Sequence, residues 1–218
     1  MKIKKVQLLI SNFEQTVSFY KDLLQFKLLS ANTTNAIFQI GSSELELMKD
    51  QEQNDYYYHF AFNIHSNLFQ KAKSWLAERV ELLREDGVDE IDFDGRAQAN
   101  ACYFEDPAGN IVEYIARREI SPTSTDQVFT SNNVLSISEM SLTTDDLNKV
   151  AQKFEDIKIP VRDHEELYYE EYLNFMGEHE DGCFILFGPV GRRWLFSEKL
   201  AIASPVTIYT DRGMISNL

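Results

Sequence analysis

The sequence is short of cysteine, of basic charge and of long apolar runs, and each shortage closes a class of function. Two cysteines in 218 residues, Cys102 and Cys183, lie in strand-like runs without metal spacing. They read as small buried residues, not as a disulfide or a zinc cluster. No run approaches the ~18 apolar residues of a membrane span. The start, MKIKKVQLLIS, is basic then apolar but has no small-residue cleavage site. It reads as a first strand and not as a signal peptide, with a cytoplasmic location as the default. Lysine and arginine number 21 against 35 acidic residues, a net charge of −14. That balance argues against nucleic acid, because phosphate binding needs a basic surface. It suits a solvated surface first and a cationic ligand second. The chain is long enough for one large domain or two small ones.

What the sequence does contain is one plan written three times: an alternating strand, a polar cap and an amphipathic helix. The first copy is IKKVQLLISNFEQTVSFYKDLLQF, residues 3–26, where Ser11 and Glu14 have capping-box spacing. The second is residues 56–83, capped by Ser66 or Asn67, and the third is residues 135–159, capped by Thr143 or Thr144. Short strand-like runs follow each helix: AIFQI and ELELM, then ANACYFE and NIVEYIA, then YYEEYLNFM and CFILFG. Each copy therefore reads β-α-β-β-β, and such internal repetition is a strong architectural signal. The polar, turn-rich segment 121–133 reads as a linker. RRWLFSE and SPVTIYT in the tail read as extra strands.

These repeated units, the helix with SFYKDLLQF and the turn EDPAGNIVEYI resemble the vicinal oxygen chelate superfamily of glyoxalases, bleomycin-resistance proteins and extradiol dioxygenases. The resemblance implies an α+β fold in which βαβββ units curl into a half-open barrel. It makes residues 1–120 a domain of two units, about 1–53 and 54–120, and residues 134–218 a degenerate third unit with added strands. It also implies metal ligands on the first and last strands of each unit. Those positions fall on Lys5 and Glu46 in unit one and on His59 and Glu113 in unit two. Family metal enzymes carry His or Gln where Lys5 stands. In the third unit the positions hold Glu139 and Leu186, and a carboxylate with a leucine makes no second metal site.

Alternation supports the same facing. Lys5 and Gln7 share one side of the first strand, Glu46 one side of ELELM, His59 one side of YYYHFAFNI and Glu113 one side of NIVEYIA. A histidine in an aromatic strand is more often a hydrogen-bonded structural residue, but the company of three ionisable groups favours a shared cavity. His59, Glu113 and Glu46 are a sensible set for one divalent ion (Fe, Mn, Ni or Zn). Lys5 weighs against an ion, because an ammonium offers no lone pair and repels a dication. Without metal, Lys5 would hold an anionic oxygen and Glu113 or His59 would act as base. Gln7, Glu46, Tyr57 and Tyr103 are the candidate ligand contacts.

Two functions remain open at this point. One is a lyase, isomerase or dioxygenase-like enzyme acting on a small molecule, with a degenerate metal site. The other is a drug-binding protein of the bleomycin-resistance type without chemistry. A homodimer is expected, because the third unit must either cover an edge or pair with another chain.

Overall fold

Runs of β-branched and aromatic residues at period two become strands, and the polar stretches between them turn into short helices. The computed structural model describes residues 1–170 and 172–217. Unit one comprises β1 (Ile3–Ile10), α1 (Phe13–Ser18, running on as a π turn Phe19–Leu23), β2 (Lys27–Ala31), β3 (Asn35–Ile40) and β4 (Ser43–Lys49). Unit two comprises β5 (His59–Ile64), α2 (Phe69–Ala77), β6 (Ile91–Phe93), β7 (Ala99–Glu105) and β8 (Ile111–Arg117). Unit three comprises β9 (Val134–Thr144), α3 (Leu147–Asp156), β10 (Asn174–Met176) and β11 (Phe184–Pro189), and the tail adds β12 (Val206–Thr210) and β13 (Met214–Ser216). The α+β class and the repeated unit are as expected; no described helix is long and apolar enough to cross a membrane.

The partnership of the units differs from the expected one. Units one and two do not share a sheet. Sheet A runs β13-β12-β1-β4-β3-β2, and sheet B runs β10-β11-β9-β5-β8-β7-β6. Unit two joins unit three through the antiparallel pair β5 and β9, while unit one joins the tail through the antiparallel pair β1 and β12. Edge pairing explains the choice. A β1–β5 seam would leave one edge of β9 and one edge of β12 unpaired, whereas the observed seams cover all four edges within the chain.

Local signals were redirected in three places. Asn12, not Ser11, stands at the start of α1 and makes no side-chain cap; Glu14 instead meets Lys49 Nζ at 2.5 Å. Helix α2 follows a 3-10 turn at Ser66–Leu68, and Asn67 is spent on the linker, donating to Ser124 O at 2.8 Å. Helix α3 is capped by Asp146, which accepts from Lys149 N at 3.1 Å, while Thr144 accepts from Asp146 N one step earlier. The segment 121–133 is anchored: Phe129 is buried against Trp75 and Tyr114, with ring centroids at 5.6 and 5.8 Å. Of YYEEYLNFM only Asn174–Met176 forms a strand; Glu171 in that run, and Leu218, lie outside the described residues. RRWLFSE forms no strand but a loop whose Trp194 and Phe196 are buried.

The main core lies between the sheets. Phe26 meets Phe62 edge to face at 5.3 Å, and the Tyr20 hydroxyl donates to buried Asp106 at 2.7 Å, tying unit one to unit two. Asp106 opens the DPAG turn and accepts from Ala108 N and Asn110 N, which fixes how β8 begins. The β3–β4 turn presses on β9: a Cβ at Gly41, whose φ is +55°, would stand 2.1 Å from Leu135 O. Only glycine fits that approach.

Candidate functional site

Sheet B has an apolar set on each face. Phe60, Phe62, Val112 and Tyr114 point into the main core, whereas Ala61, Ile111, Ile115 and Leu186 belong to a second cluster on the concave side. This is the alternation of β5 and β8 in three dimensions. On the concave face Ala61 is paired with Glu113 of β8 on one side and with Glu139 of β9 on the other. The methyl side chain of Ala61 leaves room for two carboxylates to lean over it. His59, two residues earlier on the same face, completes the group. His59, Glu113 and Glu139 are all buried, and each offers a ligand atom within 4.8 Å of the others.

The imidazole is held in one tautomer. His59 Nδ1 lies 3.1 Å from Ile111 O, a pure acceptor, so Nδ1 carries the hydrogen and Nε2 keeps its lone pair. That Nε2 is 3.5 Å from Glu113 Oε2 and 4.0 Å from Glu139 Oε2. Burial pushes the His59 pKa down to about 4, so the ring is neutral at pH 7. Burial, and then the neighbouring Glu139, push the Glu113 carboxyl well above the usual carboxylate range, opposed by Arg117 and by a hydrogen bond with Tyr103. Glu139 has a counter-charge: its Oε1 accepts from Arg117, which also donates to Gly182 O at 3.2 Å and Ser138 Oγ at 3.3 Å.

Around this group lies a cavity of about 230 Å³. The tail loop roofs it: Trp194 lies against His59 at 4.9 Å, and Phe196 stacks on Tyr103 at 4.8 Å with planes 17° apart. Leu186, at the fourth position of the repeat, is one of its walls.

The structure divides the expected constellation. His59, Glu113 and Tyr103 come together at this cavity; Lys5, Gln7 and Glu46 do not join them, because β1 and β4 belong to sheet A. There Lys5 Nζ meets Glu46 Oε2 at 2.5 Å, Gln7 donates to the same carboxylate at 2.6 Å, Asn35 donates to its other oxygen, and the Tyr209 hydroxyl donates to Gln7 at 3.0 Å. The second acidic partner of His59 is thus Glu139 and not Glu46. Tyr57 lies outside the cavity lining, its hydroxyl donating to Leu200 O at 2.5 Å. Sequence reasoning missed Glu139 as a partner although it occupies the same first-strand position as His59. The signal lies in that position, but the carboxylate that completes it belongs to the unit next door, whereas its own unit offers Leu186.

Comparison with known proteins agrees with this architecture. The family described as Glyoxalase/Bleomycin resistance protein/Dioxygenase superfamily matches residues 2–114, and the one described as Toxoflavin-degrading enzyme matches residues 137–192. The metallothiol transferase FosB of Staphylococcus epidermidis is 31% identical over 110 residues, which is 48% of this chain and 73% of the transferase. Two solved structures resemble the chain in fold. A putative dioxygenase from Bacillus subtilis gives a TM-score of 0.57 at 14% identity, over 86% of this chain and 63% of its own. Glyoxalase I from Zea mays gives 0.53 at 14% identity, over 85% of this chain and 66% of its own. With its repeated units, its curled sheets and a family match across more than half its length, the chain belongs to the glyoxalase/bleomycin resistance/dioxygenase superfamily.

Proposed function

We propose that the chain is a metal-dependent enzyme acting on a small molecule in the cup of sheet B, with His59, Glu113 and Glu139 holding one divalent ion. One observation carries this reading: three buried side chains with free lone pairs, from three adjacent strands, converge within 4.8 Å. Their chemistry fits an ion. His59 presents a neutral Nε2, Glu113 is a buried carboxyl with no guanidinium of its own, and Glu139 keeps one oxygen toward His59 while Arg117 takes the other. A bound dication would polarise substrate oxygens as a Lewis acid or activate a water.

The protein groups supply the rest. Burial and then Glu139 favour the protonated form of Glu113, while Arg117 and the Tyr103 hydroxyl beside it favour the charged form, so this carboxyl is the group placed to hold or pass a proton. Trp194 packs on His59, and Phe196 backs Tyr103, so this side of the group is shielded, which strengthens the charges inside. The relatives' names span thiol transfer, glyoxalase chemistry and dioxygenation, so the reading is a reaction class: rearrangement, addition or ring opening of a small oxygen-bearing molecule.

A second reading, ligand capture without chemistry, is favoured by two specific features. Leu186 leaves the fourth position without a donor, and Arg117 already neutralises Glu139. Metal analysis of protein reconstituted separately with Fe, Mn, Ni and Zn decides between them. About one ion per chain, lost in His59→Ala and Glu113→Ala, supports the enzyme. Protein that retains none of the four supports capture and overturns the metal reading.

A further inference from the structure

The cavity carries a surplus of positive charge that a metal site does not require. Four arginines line it, Arg96, Arg117, Arg162 and Arg192, against the carboxylates Glu113 and Glu139, in a chain whose net charge is −14. Two of the four are already matched: Arg96 with Glu165 and Arg117 with Glu139. The other two are not. Among the described residues Arg192 has no carboxylate within 4.0 Å, and its one hydrogen bond is to Arg193 O at 3.0 Å. Arg162 has only Asp163, 4.0 Å from its Nε, and that buried Nε has no hydrogen-bond partner among the described residues.

Both guanidinium groups nonetheless sit over aromatic rings. The Arg192 guanidinium lies 4.1 Å over Trp194, and that of Arg162 lies 4.3 Å over Phe175. Stacking fixes the plane of a guanidinium while leaving its edge N–H groups free to donate in pairs. Burial pulls both groups below the usual arginine range; at Arg162 it is opposed by Asp163, Glu165 and Glu139, whereas at Arg192 burial acts alone. A partly buried, unmatched cation is costly, and it is stabilised when an anion arrives. Trp194 contacts both Arg192 and His59, and all three line the one cavity, so a molecule whose anion sits on Arg192 has its body near the metal-binding group.

The walls specify that body. Tyr103, Phe175 and Trp194 line it together with Leu186, so the space is bounded by rings and one aliphatic wall. At about 230 Å³ the space is below the roughly 300 Å³ at which pockets for drug-sized ligands begin. We propose that the cup selects a small planar aromatic anion, its ring packed among Tyr103, Phe175 and Trp194 and its negative group donated to by Arg192 and Arg162. This inference takes the cup as the binding site and needs no metal.

The test is equilibrium titration of the full chain, freed of metal by chelation, with three probes: benzoate, its neutral isostere benzamide, and non-aromatic cyclohexanecarboxylate. Trp194 fluorescence reports occupancy, in a Trp75→Phe background so that a single indole is read. Benzoate is expected to bind about tenfold or more tighter than benzamide, and tighter than cyclohexanecarboxylate, with the charge preference shrinking as salt rises. Arg192→Gln and Arg162→Gln should each remove most of the preference while leaving benzamide unchanged. Arg192→Lys should keep part of it, and Arg84→Gln, on the exposed surface, should keep all of it.

Equal binding of benzoate and benzamide, a preference that survives both glutamine variants, or no binding of any probe overturns the proposal. Equal binding of the two carboxylates overturns its aromatic half. Should a glutamine variant fail to fold, the three probes on the parent protein still decide. A chain that discriminates anions but retains no ion would refute the metal reading alone; one that retains an ion but does not discriminate refutes this inference alone.

Discussion

Sheets A and B place ionisable side chains at the same first-strand and last-strand positions, and the outcome differs. On sheet A, Lys5, Gln7, Asn35 and Glu46 answer one another, with Tyr209 closing the row from the tail. Every charge there has its partner on an adjacent strand. On sheet B the corresponding first-strand and last-strand positions hold His59, Glu113 and Glu139, and the group is short of cations by one carboxyl. A second row of rings and arginines then surrounds it. The comparison shows how a repeated unit is divided between tasks: one copy spends its inward polar residues on bonds to one another, and the other gathers them around a cavity, where they can act on a ligand.

The most drastic way to break this contrast is to move it. His59→Ala or Glu113→Ala should lower metal retention by more than the roughly 10–100-fold typical of losing a supporting residue around a metal, whereas Glu46→Ala should leave it unchanged. Metal analysis after dialysis reads the difference, and a loss in the Glu46 variant would mean the halves are not separate. Next in size is a stability effect. Phe62→Ala, at the junction of the two halves, should cost about 3–5 kcal/mol in urea unfolding. One shared transition is expected, since the core is common to both sheets; two would show that the halves unfold independently.

A smaller effect sharpens the sheet A side. The Glu46 pKa lies below its ordinary 4.5: burial raises it, but bonds from Lys5, Gln7 and Asn35 outweigh burial. A carboxylate depressed in this way stabilises the fold above pH 4.5 and loses that contribution as pH falls through its folded value. Glu46→Gln should therefore cost about 1–3 kcal/mol at neutral pH and flatten the acid limb of the stability curve. The smallest expected effect is at the surface. Glu14→Gln, which removes an exposed partner of Lys49, should leave the melting temperature unmoved.

The parts of this picture that depend on neighbours in sequence were legible in advance. Alternation along YYYHFAFNI and NIVEYIA separated Phe60 and Tyr114 from His59 and Glu113, and the DPAG turn with its aspartate marked the start of β8. What depended on distant neighbours was not legible. Whether β5 pairs with β1 or with β9 is decided by which edges remain to be covered, and no local pattern carries that information. That pairing decides the site: with β9 beside β5, Glu139 and not Glu46 meets His59, and Leu186 of the same unit as Glu139 is only a wall. RRWLFSE shows the same limit. Its aromatic residues suit a strand, but Arg193 and Phe196 find their partner in Glu85, and the segment closes over the cup instead.

The seam between β1 and β12 has a consequence for how the chain assembles. Sheet B draws all of its strands from the continuous stretch 59–189, so it has its full complement while later residues are still being synthesised. Sheet A takes strands from both flanks, with Lys5 lying against Tyr209. During vectorial synthesis β1 waits, one edge bare, until the last strands emerge, and long-range pairing of this kind is slow. The hollow half is thus ready early, and the filled half acts as a clasp that shuts last.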